Sequence, residues 1–308
     1  MSRSLRAARG GAARITPLVH LFALPALVVY GVFVLYPIAT TLLNSFFEFR
    51  GMHRGAWIGL ANFETLFTKP PLNGRVLNAV SHNLIMFAAS MLTLVLAFVI
   101  AALLHQLTVG REFFKAAFFL PRLLSLIVVG FLWQLILSPQ SGALNALLDA
   151  VGLSALSHAW LATPASALGS VIAVGAWHSI GFAILVFLAS MQAIPSTIYE
   201  AARLDGASAT RILVSITLPL TRSAWMILTV LGFIGAFETF DLVYAMQGAA
   251  GPPYYGTDTL GLLFYRLAFG GEGGTAAVGL GSALALSMLV VMAAVSLLTL
   301  RLFRPGRS

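Results

Sequence analysis

The chain has 308 residues, of which 59% are hydrophobic and only 9% charged, against about 45–50% apolar and about 25% charged in soluble domains. Its formal charge of +8 is spread over the ends of apolar runs rather than gathered in one patch, which excludes a nucleic-acid partner. With no Cys, disulfide frameworks, thiolate nucleophiles and cysteine metal sites are excluded as well.

Six apolar runs are long enough for a bilayer, which a helix of about 20 residues crosses: residues 17–43, 80–106, 117–138, 167–193, 221–246 and 277–303. None shows the short alternating segments of a membrane barrel. The fold class is therefore an all-α polytopic membrane protein with six transmembrane helices. The expected organisation is a tail (1–16), a first helix with its outside loop (17–76), a five-helix unit (77–303) containing a cytoplasmic loop (194–220), and a second tail (304–308).

Arg3, Arg6, Arg9 and Arg14 precede the first run, which is too long for a signal peptide and reads as an uncleaved span. With a cytoplasmic N-terminus, 13 Lys and Arg fall inside, Arg122 among them, and five fall outside: Arg50, Arg54, Lys69, Arg75 and Arg266. That bias matches the positive-inside rule and places both termini in the cytoplasm. The aromatics of "WIGLANFETLF" in the first outside loop suit an interface. "SPQSGALNALLDAVGL" predicts a short amphipathic helix along the membrane surface. Gly232, Gly235, Gly279 and Gly281 are expected at close helix crossings.

Loop 194–220 stands out by its small and charged residues, "EAARLDGASATRILVSITLPL". Ser196 or Thr197 is placed to cap a helix, and Thr197 with Glu200 fits a capping box. Gly206 suits a left-handed stop, Ser208 a second cap, and Pro219 the end of a second helix. Ala201 and Ala202 leave a shallow face for another protein's backbone. On the residues alone, a solvated turn explains this loop equally well.

The pattern Glu200-Ala201-Ala202, then Asp205-Gly206, then Ile216-x-Leu218-Pro219 resembles the signature cytoplasmic loop of the membrane subunits of binding-protein-dependent ABC importers. "LPALVVYGVFVLYPIATTLLNSFFEF", "REFFKAAFFLP", "FLWQLILSPQSGALNALL" and "FETFDLVYAMQGAAGPPYYGTDTLGLLFYRLAF" are similar to blocks of the sugar permeases of the maltose and glycerol-3-phosphate type, in the first of their two paired subunits. Two departures are visible. Gln247-Gly248-Ala249-Ala250-Gly251-Pro252 replaces the family's Thr-Gly-Gly-Gly-Pro, and Arg122 follows Pro121 where an apolar or aromatic residue is common. The resemblance implies an inner-membrane permease working with a second, different permease, two ATP-binding subunits, an extracytoplasmic solute-binding protein and a sugar-like solute. It implies that the loop is a coupling helix seated on the ATPase.

The chain carries no G-x-x-x-x-G-K-[ST] phosphate loop and no metal-ligand spacing among its six His. No catalytic residue, metal or cofactor of its own is expected, and ATP with Mg is used by the partner subunits. Polar groups inside spans are costly and draw attention. Trp133-Gln134 and Trp177-His178 suit a saccharide wall, or are belt indoles and a histidine satisfied by a neighbouring helix. Glu238 and Asp241, three apart on one helical face, with Tyr244 a turn later, read as outer-end residues, as part of a sugar path, or as a proton-sharing pair of an ion-coupled carrier or membrane hydrolase.

Overall fold

The computed structural model describes residues 17–139, 142–270 and 276–302. Both tails, with Arg3, Arg6, Arg9, Arg14, Arg304 and Arg307, lie outside these residues. The first apolar run is a single rod: α1 (Pro17–Tyr30), a π turn (Gly31–Leu35) and α2 (Tyr36–Asn44). The π turn ends two residues before Pro37, with Tyr36 N–H reaching Gly31 O. A proline inside a helix lacks a donor and crowds the carbonyl one turn back, and the wider turn absorbs both defects.

A two-stranded hairpin follows, β1 (Phe47–Arg50) against β2 (His53–Trp57), then α3 (Ala61–Thr68). Next come α4 (Leu72–Gln106), α5 (Arg111–Phe119), a 3-10 turn (Leu120–Leu123) and α6 (Leu126–Ile136). The surface helix expected after the third run is α7 (Ala143–Ala150). The helix α8 (Pro164–Gln192) opens on a capping box in which Thr163 and Ser166 exchange side-chain and backbone bonds.

Beyond it lie α9 (Ser196–Leu204), α10 (Ala209–Ile212), a second π turn (Leu213–Thr217), α11 (Leu218–Leu220) and α12 (Arg222–Glu238). The chain closes with α13 (Asp241–Gln247), α14 (Leu260–Phe269) and α15 (Val278–Leu302). Pro219 therefore does not end the helix begun at Ser208. It is accommodated as Pro37 is, two residues after a π turn, and the helix stops at Thr221.

Among the described residues four helices are long and apolar enough to cross a bilayer, and two bent pairs make six when each pair is taken as one span. The third run bends by 94° between α5 and α6, and the α10–α11 segment meets α12 at 70°. The fifth expected span fails to reach residue 246, because α12 stops at Glu238.

The axis of the molecule is the pair α4 and α8. Their N-terminal halves share one buried cluster that includes Val76, Met86, Val171 and Val174. Their C-terminal halves share a second, with Phe98, Ile184, Phe187 and Met191. Close approaches are set by glycine where backbone meets backbone. A Cβ on Gly181 would stand 2.0 Å from Phe118 O, and one on Gly279 2.5 Å from Phe47 O. Gly281 and Gly232 are at crossings as expected, whereas Gly235 has nothing within 4 Å.

Candidate functional site

Segment 194–220 is two helices meeting at a glycine. Pro195 occupies the cap position of α9 (φ −56°, ψ 133°) with no side-chain cap. The expected capping box is absent because the proline starts the helix at Ser196, which draws Thr197 into the first turn. At the other end Gly206 adopts φ +76°. Ala207 N–H donates to Ala202 O (2.9 Å) and Gly206 N–H to Arg203 O (3.1 Å), a Schellman closure. Ser208 Oγ accepts from Arg211 N–H as expected (3.3 Å).

Ala202 is buried, while Glu200, Ala201 and Asp205 are exposed and Leu204 is 89% exposed. Among the described residues the Glu200 carboxylate takes part in no ion pair. Ile216 is half-buried, and Leu218 and Pro219 are exposed along the second limb. The C-terminal end of α4 braces the segment, with the Tyr199 ring 5.7 Å from the His105 ring. Arg111 closes that end by donating to Leu104 O and His105 O (3.0 and 2.8 Å).

The polar residues of the spans separate into groups. Gln134 and Tyr244 come together with Phe131 and Tyr265 around a cavity of about 530 Å³. Trp133 and Trp177 meet edge to face at 5.6 Å, but they line a different cavity of about 490 Å³ with His158 and Trp160. His178 lines neither. It is buried, its Nε2–H donating to Leu124 O (3.2 Å) and its Nδ1 accepting from Arg122 Nη1 (3.4 Å). Its bond satisfies the carbonyl freed where the third run breaks, as backbone at membrane depth requires.

Glu238 and Asp241 do not share a helical face. The backbone turns at Thr239–Phe240 (Phe240 φ −133°, ψ −58°), leaving Glu238 last in α12 and Asp241 first in α13, both exposed. Gly130 lets α13 cross α6, a Cβ there lying 2.5 Å from that of Ala245. Arg122, counted above as a cytoplasmic charge, lies instead against His178 at the middle of α8.

Sequence reasoning missed a buried polar node under the loop between α13 and α14. Asp258 is fully buried and paired with Arg266, whose Nη1 also donates to Ala249 O (3.0 Å). Burial pushes the Asp258 carboxyl above its ordinary range, and the Arg266 guanidinium pulls it the other way. The Tyr255 ring lies between Arg75 and Arg266, 4.7 and 5.3 Å from its centroid. Asn78 Nδ2 donates to Tyr255 O (3.0 Å) and His82 Nδ1–H to Asp258 O (2.8 Å). Asn83, fully buried, accepts from Leu260 N–H (2.9 Å) and donates to Ala236 O. The signal was present: Arg75, Asn78 and His82 follow one another at three and four residues, a polar stripe on one helix face.

Among the described residues no cluster of His, Asp and Glu could hold a metal. Residues 93–305 match the family described as "Binding-protein-dependent transport system inner membrane component". A probable ABC transporter permease protein of Bacillus subtilis, YurN, is 34% identical over 94% of this chain and 96% of its own length. The multiple sugar-binding transport system permease protein MsmF of Streptococcus mutans is 29% identical over 92% and 93%. A crystal structure of a bacterial ABC transporter that imports the acidic polysaccharide alginate has a chain of the same fold, with TM-score 0.80, 23% identity and 94% and 96% coverage. Six spans, a family match over most of their length and a relative similar from end to end agree: the chain belongs to the binding-protein-dependent transport system inner membrane components and is a permease subunit of an ABC importer.

Proposed function

We propose that this permease imports a sugar or sugar-like solute, in complex with a second, different permease, two ATP-binding subunits and an extracytoplasmic solute-binding protein. In this reading both termini are cytoplasmic, the chain binds no nucleotide or metal, and ATP with Mg is consumed by the partner subunits. Support for the solute class comes from relatives named for sugars and from the cavity of Gln134, Tyr244 and Tyr265. It offers an amide and two phenol hydroxyls for solute hydroxyls and the Phe131 face for an apolar sugar face.

Coupling runs through α9. The observation that carries it is a helix whose Glu200 is in no ion pair among the described residues, with exposed Ala201 and Asp205 and an 89% exposed Leu204, closed by its glycine. Small Ala201 lets another backbone approach closely, and Glu200 offers an unpaired carboxylate to a cation in a partner's cleft. Ile216, Leu218 and Pro219 continue it into α12, so that a push on α9 turns the fifth span about Thr221. The ion-coupled alternative loses its proton-sharing pair at the Thr239–Phe240 break. Glu200→Ala in the reconstituted importer is expected to assemble normally and to abolish ATP-driven uptake; near-normal uptake would overturn the coupling role.

A further inference from the structure

We propose that Arg122 faces the aqueous solute path at mid-membrane and selects for a solute bearing an anionic group, a carboxylate or a phosphate. The proposal rests on the reading of the chain as a pathway-forming permease. Depth comes first. His178 is the midpoint of the 29-residue helix α8, with about 21 Å of helix on either side at 1.5 Å per residue. The hydrocarbon core is about 30 Å thick, so His178 lies near its centre. Arg122 Nη1 is 3.4 Å from the His178 ring, and its guanidinium carbon is 5.9 Å from the Phe182 centroid.

Arginine stays charged, and turned toward lipid at that depth it would cost at least about 2.5–3.5 kcal/mol. Yet Arg122 is exposed, and none of the ion pairs among the described residues includes it. His178 accepts one N–H and leaves most of the fork open. A second observation agrees. The non-helical residues Leu124 and Ser125 are also exposed, and irregular backbone at membrane depth is tolerated only inside protein or along a water-filled cavity. An exposed cation beside this irregular turn fits a face turned to an aqueous path rather than to lipid. A planar guanidinium there matches carboxylate or phosphate oxygens two at a time.

The test uses the absence of Cys from the chain. Ser125→Cys, beside the arginine, is placed in the full chain within its assembled importer, every other subunit also being free of reactive Cys. It is treated with sulfonatoethyl (anionic) and trimethylammonium-ethyl (cationic) methanethiosulfonate, with rates normalised to a free thiol. The anionic reagent is expected to react faster by at least about tenfold, and Arg122→Gln to remove that preference. Glucuronate or glucose 6-phosphate should protect the thiol where glucose does not, and the two separate carboxylate from phosphate selection. An unreactive thiol, a rate indifferent to reagent charge, or equal protection by glucose would each overturn the proposal. The permease reading fails separately, through absence of ATP-driven uptake.

Discussion

Single side chains in this protein close gaps that the backbone leaves at membrane depth. His178→Ala removes the donor to Leu124 O, a part-buried carbonyl, and leaving such a group unpaired costs at most about 1–3 kcal/mol. A lowered thermal midpoint in detergent is expected, with His178→Gln recovering part of it if its amide reaches the same carbonyl. Asn83→Ala should cost more, because one amide serves both Leu260 N–H and Ala236 O. His178 was legible as a polar residue in a span and Asn83 was not marked; the partners of both were out of reach, lying 54 residues and 153 to 177 residues away. Gln134 and Tyr244 were legible as polar residues in spans, but their meeting required the crossing at Gly130.

At the level of elements, the six runs were readable because length and apolarity alone fix a crossing. Their interruptions were only partly readable. Pro121 marks the break of the third run, whereas the break at Thr239–Phe240 has neither Pro nor Gly. It is held from outside, by Thr259 Oγ1 donating to Thr239 O (2.8 Å) and by Asn83. Gly181 is the tightest contact between α5 and α8, so Gly181→Leu is expected to push α5 away and lower the thermal midpoint sharply. Gly235→Ala, with open space around it, should leave the midpoint within a few degrees; a similar fall for both would refute the packing role. Gly206→Val forces a β-branched residue toward a left-handed conformation that costs about 1–2 kcal/mol. It should fray the end of α9 and weaken ATP-driven uptake more than overall stability.

For the molecule as a whole, the natural absence of Cys makes orientation directly measurable. Leu204→Cys on α9 and Tyr254→Cys on the third outside loop, the latter 94% exposed, should react with a membrane-impermeant maleimide from opposite faces of sealed vesicles. Labelling of both from one face would refute the topology. Setting Arg122 aside leaves twelve inside charges to five outside, so the positive-inside bias does not depend on it. The closure of α9 has one more consequence. It is made by amides and carbonyls alone, so apart from Gly206 no side chain is needed to finish the helix. Every exposed residue along α9 can then change without unmaking that end of the helix, so a substitution there reads out contacts made by the face and not the integrity of the helix.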